Sequence, residues 1–327
     1  MEAERALART TDTALLATPE SLVNEWLAHL HLMEDASPNT LATYERSLQI
    51  FVDWLRENGE GVVTPVTITE FRADLQARYA PQTVNLRLTA IRSFYRWSVE
   101  TGRLPLSPAV GVKGVKRPKS RQHKRDRLTD EEMRRLLATC QAGGLVDIRD
   151  RAMLSLFAYC ALREVEVVRA NIGHLRTESE RLMLDVVGKG RSEADEAVVI
   201  PLHQEGVIRE WLAHRLTFAR HGTDDPLFIS LSSRSRGSRL SLRGVRQIVK
   251  GRYRQAGVVG ERKTVHSLRH TAITNAIRQG ASPMQVRQMA RHESFDTTLI
   301  YIHEAARVGD PAEDYISYGQ AEGGVKP

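Results

Sequence analysis

Residues 113–127 read KGVKRPKSRQHKRDR, and the chain divides there. The stretch holds eight Lys or Arg against one acid, Asp126, so its surplus equals the net charge of +7 on the whole protein. Gly111, Gly114 and Pro118 argue against a continuous helix through it. So dense a run of one sign repels itself unless something acidic meets it. We read it as an interdomain linker that doubles as a strap along a phosphate backbone, through Lys113, Lys116, Arg117, Lys119, Arg121, Lys124 and Arg125. Each phosphate neutralised in this way releases counterions. A solvated surface loop is the plainer alternative.

Upstream, residues 19–101 carry a helical pattern. Leu22, Val23, Trp26, Leu27 and Leu30 recur at helical spacing. Ser37, Pro38 and Asn39 are start signals for a longer helix that runs through Trp54 and Leu55 and stops near Gly59. Residues 67–79 and 81–100 give two more, the last closed by Gly102. On that last helix Arg87, Arg92 and Arg96 suit phosphates or bases as well as they suit solvent. The expected organisation is an N-terminal tail at 1–18, a helical unit at 19–112, the linker at 113–127, a second unit at 128–307 and a tail at 308–327.

Downstream, Thr129 with Glu132 three residues on forms a capping-box pattern. Residues 147–168 follow as an apolar helix broken near Cys160 and Ala161. The period then changes: residues 182–187 and 197–200 read as strands flanking a Gly188-Lys189-Gly190 turn, and from 204 onward the chain reads as mainly helical. Residues 234–254 hold eight Lys or Arg and no acid. Arg243, Arg246, Lys250 and Arg254 fall on one helical face, opposite Leu242, Val245, Ile248 and Val249, with Gly244 and Gly251 weakening the helix. The missing acidic partner favours DNA contact over a solvated face. The fold class is mainly α: an all-helical first unit, then a mostly helical α+β unit with a small antiparallel sheet.

Several classes fall away. No apolar run approaches the roughly eighteen residues a membrane span needs. The first twenty-two residues lack the apolar segment of a signal peptide. Cys140 and Cys160 are the only cysteines, which makes neither a disulfide framework nor a zinc site, and a reducing cytoplasm fits. His266, His270 and His292 do not carry a metal-ligand spacing.

The second unit contains, in order, Arg163, Lys189, His266 with Arg269, His292 and Tyr301. The stretch AYCALREVEVVRA resembles the first motif of the tyrosine recombinase (phage integrase) family, with its arginine at Arg163. VVGKGRSEADEAVVIPL resembles the family hairpin, its lysine at Lys189; HSLRHT is similar to the His-x-x-Arg motif at His266 and Arg269. RHESFDTTLIYIH resembles the last motif, with His292 and, nine residues on, the nucleophile Tyr301. Any one of these is weak, but four in order across about 140 residues are strong together. Two departures stand out: Arg291 occupies a position where many members carry Gly, and RSEADEAV is more acidic than the common version. Both bear on how the turn meets DNA.

The chemistry is coherent. Attack on a phosphodiester needs a nucleophile, charge stabilisation on the phosphate oxygens and a proton for the leaving oxygen. Arg163 and Arg269 supply two permanently charged forks for the non-bridging oxygens. The resemblance implies that Tyr301 attacks and leaves a 3′-phosphotyrosyl bond, with His266 taking the tyrosine proton, Lys189 protonating the departing 5′-oxygen and His292 bonding the phosphate. Glu166 then orients the first motif. No cofactor is implied: the covalent bond keeps the phosphodiester energy, so neither ATP nor metal is required. Plainer readings stay open. Arg163 with Glu166 makes an ordinary i,i+3 ion pair, Lys189 with Arg191 nearby sits in a solvated turn, and Tyr301 taken alone is a core aromatic. Tyr315 and Tyr318 lack the upstream histidine spacing.

The short stretch before the first helix resembles the two-domain Xer-like or Cre-like layout. That implies a C-shaped clamp on double-stranded DNA bearing a paired recombination site, and a homotetramer on two such sites, with or without a second recombinase or accessory protein. Integration, excision and dimer resolution all fit, as does a nucleoid-associated place in the cytoplasm. The tail at 308–327 is expected to dock on a neighbouring protomer. Two rivals are a type IB topoisomerase-like relaxing enzyme and a non-catalytic DNA-binding protein of the same fold.

Overall fold

The computed structural model describes residues 20–33, 36–116, 126–188, 193–217 and 222–309, with 20–21 and 303–309 as backbone only. The chain forms two compact units, Met1–Ser120 and Arg121–Pro327.

The first unit is built from α1 (Glu20–Met33), α2 (Pro38–Glu57), α3 (Pro65–Arg78) and α4 (Pro81–Glu100). Proline opens three of them, where its missing N–H costs nothing. The Ser37 hydroxyl accepts from the Thr40 N–H at 3.2 Å, and Thr64 caps α3 in the same way through Thr67. The core is aromatic: Trp26 meets the edge of Phe94 at 5.7 Å, and Phe51 lies 4.9 Å from Phe71. Beyond α4 the chain turns at Gly102 (φ 71°) and is tied back onto the helices. Arg92 donates to the Val112 carbonyl at 2.6 Å, Arg72 to the Lys113 carbonyl at 2.9 Å, and the Asn85 side chain bonds both the N–H and the C=O of Val115. Gly114 is required here, because a Cβ would stand 2.7 Å from the Asn85 Oδ1.

The second unit contains α5 (Asp130–Ala138), α6 (Leu145–Cys160), α7 (Glu164–Arg169), β1 (Leu175–Glu178), β2 (Arg181–Val186), β3 (Glu196–Val199), α8 (Leu202–Leu216), α9 (Leu242–Gln255), α10 (Val265–Arg278), α11 (Pro283–Ala290) and α12 (Phe295–Gly309). The strands form an antiparallel sheet in the order β1-β2-β3, with Leu184 opposite Leu175 on one side and Val198 on the other. Leu182, Leu184 and Val186 alternate into the core. Helix α6 is the central post: it buries Ile148, Ala152, Met153, Leu156 and Phe157, and it packs on α8 and α10.

Two local expectations are corrected. Strand β1 was not read from the sequence; its pattern is half-buried to exposed, so it carries no apolar alternation to find. Residues 222–241, expected within a mainly helical stretch, form turns and isolated bridges at Asn171–Pro226 and Ile229–Arg239. The hydroxyls of Ser230, Ser232 and Ser235 bond one another at 2.8–3.1 Å, and Ser230 also accepts from the Ser232 N–H. Such local bonds compete with a helical backbone.

Candidate active site

Two helix ends meet in the second unit. α6 closes at Ala161 (φ 50°) and α11 at Arg291 (φ 52°), both left-handed. A helix C-terminus leaves carbonyls unsatisfied and carries the negative end of the dipole. Here those carbonyls face guanidinium groups. Arg269, buried on α10, donates to the carbonyls of Ala161 and Ala290. Arg163, between α6 and α7, donates from Nη2 to the Arg291 carbonyl at 2.9 Å. Arg291 itself donates from Nη1 to the Met289 carbonyl at 2.7 Å.

One carboxylate binds this group together. Glu166 has a fully buried side chain. It accepts from the Arg163 N–H at 2.6 Å, from Arg163 Nη1 at 2.7 Å and from Arg291 Nη2 at 2.6 Å. The i,i+3 ion pair anticipated for Arg163 and Glu166 is thus present, inside a larger cluster. Burial pulls the Glu166 carboxyl up, but the charge and hydrogen bond of Arg291, with those of Arg163, outweigh it and hold the group below its ordinary value. For Arg269 the balance runs the other way: burial, then the charges of Arg163 and Arg291, push its guanidinium down to about 9, with Glu166 and Tyr301 opposing. A group depressed by like charges is one an incoming anion stabilises. The Arg163 side chain is 30% exposed and so within reach of such an anion.

Tyr301 comes in from α12 and is 4% exposed. Its ring stacks on His292 at 5.8 Å and meets His270 edge-on at 5.1 Å. His292, just past the end of α11, is fixed by its Nδ1 against the Thr298 hydroxyl at 2.9 Å. His266 lies half-buried near the start of α10, three residues before Arg269. Tyr301 also belongs to an apolar cluster with Ala161, Ile273, Val286 and Ala290, so the core-aromatic reading describes its packing as well. The structure therefore gathers Arg163, Glu166, Arg269, His292 and Tyr301, and it adds Arg291, whose importance the sequence reading missed. That departure was taken to bear on contact with DNA; instead its guanidinium lies inside, 2% exposed. The signal was a long polar residue where a helix must end in a left-handed turn.

Other candidates fall elsewhere. Lys189 lies outside the described residues, as do Arg117, Lys119, Arg121, Lys124 and Arg125. Lys113 and Lys116 are exposed on the first unit. There Arg87 stacks 3.8 Å over the Tyr79 ring and Arg96 lies 3.8 Å from Glu100. Arg92 is spent on the Val112 carbonyl. On α9, Arg243 and Lys250 are exposed. The argument from a missing acidic partner is corrected: Arg246 pairs with Glu164 at 2.6 Å, and Arg252 is buried against Asp147 and Asp150 at 2.7 Å. Those acids come from 82 to 105 residues earlier, beyond any local reading of charge.

Residues 126–307 match the Phage integrase family, and residues 23–102 match the Phage integrase, N-terminal SAM-like domain. Tyrosine recombinase XerC of Escherichia coli O139:H28 (strain E24377A / ETEC) is 31% identical over 294 residues, covering 86% of this chain and 91% of its own. XerC of Escherichia coli O127:H6 (strain E2348/69 / EPEC) is 30% identical over 290 residues, with the same coverage. Two solved structures share the fold. XerH site-specific recombinase bound to palindromic difH substrate, a post-cleavage complex, superposes with a TM-score of 0.68 at 18% identity over 92% of each chain. A lambda integrase dimer bound to a COC′ core site has a TM-score of 0.68 at 14% identity, covering 94% of this chain and 83% of that one.

Proposed function

Because the chain belongs to the phage integrase family and is a site-specific tyrosine recombinase, an enzyme that breaks and rejoins DNA strands, we propose that Tyr301 is its nucleophile. The observation that carries the assignment is that Arg163, Arg269, His292 and Tyr301, from separate stretches of chain, converge where α6 and α11 end. Arg163 and Arg269 hold the non-bridging oxygens of the scissile phosphate and stabilise charge that grows during attack. Tyr301 gives its proton to His266 and forms the O–P bond as the bond to the 5′-oxygen breaks. Lys189 protonates that leaving oxygen, and His292 bonds the phosphate. The 5′-hydroxyl of a second strand reverses the step on the partner duplex.

Tyr301 starts from a buried, stacked position, so α12 must shift before its oxygen meets a phosphate. Coupling that shift to DNA binding keeps the nucleophile idle off its site. Lys113, Lys116 and their linker neighbours, with Arg87, Arg96, Arg243 and Lys250, contact the duplex backbone. Arg92 and Arg246 contribute less, being already engaged. The working assembly is a homotetramer on two sites, in the nucleoid of the cytoplasm. Its role is integration, excision or dimer resolution. The tail at 308–327, of which residues 310–327 lie outside those described, docks on a neighbouring protomer.

Nicked duplexes that trap the cleaved strand test the roles of the two arginines. Arg163→Ala should lower single-turnover cleavage about 10²–10³-fold while binding stays within a few-fold. Cleavage at the wild-type rate would remove Arg163 from the phosphate site.

A further inference from the structure

Arg291 is in an unusual position. It takes a left-handed backbone (φ 52°) that an L side chain rarely adopts and a glycine adopts freely. It also buries a guanidinium almost completely. Both features are unfavourable by themselves, so its contacts must offset them. Nη2 reaches Glu166 Oε2 at 2.6 Å and the Ala161 carbonyl at 3.4 Å, Nε reaches Glu166 Oε1 at 3.4 Å, and Nη1 reaches the Met289 carbonyl at 2.7 Å. The Arg291 carbonyl in turn accepts from Arg163 Nη2 at 2.9 Å. Arg163, Glu166 and Arg291 thus form a closed triangle, each side a hydrogen bond.

The triangle has an electrostatic consequence. Without Arg291, Glu166 would face Arg163 alone among its close partners and cancel its charge. With Arg291 present, one carboxylate is shared between two guanidiniums, and Arg269 stands beside them. Three cations against one anion leave two positive charges in a buried place. A phosphodiester carries one negative charge at rest and gains a second as the tyrosine oxygen adds to phosphorus. A surplus of two therefore complements the transition state better than the bound substrate. The same contacts anchor Glu166, so that it does not follow Arg163 when that side chain turns to a phosphate.

We propose that Arg291 is a positioning residue for strand cleavage: through Glu166 it fixes Arg163 and leaves the phosphate pocket one positive charge richer, which raises the cleavage rate rather than DNA affinity. The proposal rests on the assignment of Arg163 and Arg269 to the scissile phosphate.

The test uses the full-length protein and a duplex that the wild type selects from a randomised DNA pool, prepared with nicks at successive positions. Binding and single-turnover formation of the covalent adduct are measured separately for wild type, Arg291→Met and Arg291→Lys. Arg291→Met is expected to cleave about 30-fold more slowly while binding stays within about threefold, and Arg291→Lys should recover most of the loss by restoring the charge. If Arg291→Met does not fold, Arg291→Gly takes its place, since glycine accepts the backbone and removes the same charge. Cleavage by Arg291→Met or Arg291→Gly within about twofold of wild type overturns the proposal. So does a parallel loss of binding and cleavage that lysine does not relieve, because that marks a purely structural role. A wild-type protein that binds the selected duplex but forms no adduct defeats the underlying assignment itself and is recognised before any variant is compared.

Discussion

The second unit buries two clusters of arginine and carboxylate, and they are built on opposite principles. In one, Arg149 and Arg252 meet Asp147 and Asp150, two cations for two anions. In the other, Arg163 and Arg291 share Glu166, and Arg269 stands beside them on the carbonyls of Ala161 and Ala290. Burial pulls the Arg252 guanidinium down, yet the hydrogen bonds and charges of Asp147 and Asp150 outweigh it and hold the group above its ordinary value. Burial with too little opposing charge leaves Arg269 at about 9. Backbone carbonyls at two helix ends do for the second cluster part of what carboxylates do for the first. The first cluster balances its charges; the second does not, and on the proposed assignment the scissile phosphate supplies the missing anion. On the proposed assignment, charge imbalance rather than burial or arginine count separates the phosphate site from the scaffold.

The balanced cluster should break through stability. Asp150→Ala leaves Arg149 and Arg252 short of a partner, and urea unfolding should show a loss of about 3–5 kcal/mol. The unbalanced cluster should break through activity. Arg269→Met should lower single-turnover cleavage about 10²–10³-fold, while urea unfolding shows a loss of no more than about 2 kcal/mol, since relief of the crowded charge offsets part of the cost of two carbonyls that lose a donor. If Arg269→Met instead unfolded the protein as Asp150→Ala does, the contrast would fail.

Glu166 sharpens the comparison through pH. Its folded pKa lies below the ordinary 4.5, so its stabilising contribution is complete above that value and is lost as pH falls through the lower folded one. Glu166→Gln should therefore cost about 2 kcal/mol at neutral pH. The gap to wild type should be flat above about pH 5 and close as the pH drops further. A gap that widens toward acid would contradict the assignment. The smallest effect is expected at Arg246, whose pair with Glu164 lies at the surface: Arg246→Ala should change stability by less than about 0.5 kcal/mol in the same unfolding measurement.

These clusters also mark how far a sequence can be read. The helical first unit was legible because its signals are local: Ser37 before Pro38, Gly102 after α4, and apolar residues at helical spacing. The break at Ala161 was legible for the same reason. Arg163, Arg269, His292 and Tyr301 were found as a pattern of types in order, and the fold brings them together. What escaped depends on partners distant in sequence. Nothing near Arg252 announces Asp147 and Asp150, and nothing near Arg291 announces Glu166, 125 residues away. The bond of Arg92 to the Val112 carbonyl has no signature in the sequence either, because its acceptor is backbone.

The central claim is that Tyr301 forms the covalent bond to DNA. The direct measurement is to trap the adduct on nicked duplex in the presence of EDTA, digest with nuclease and trypsin, and weigh the peptides. The peptide from His292 to Arg307 contains Tyr301 as its only tyrosine. A nucleotide mass on that peptide, absent from Tyr301→Phe, is the predicted result. A nucleotide mass on the peptide that carries Tyr315 and Tyr318 would contradict the account and move the nucleophile into the tail.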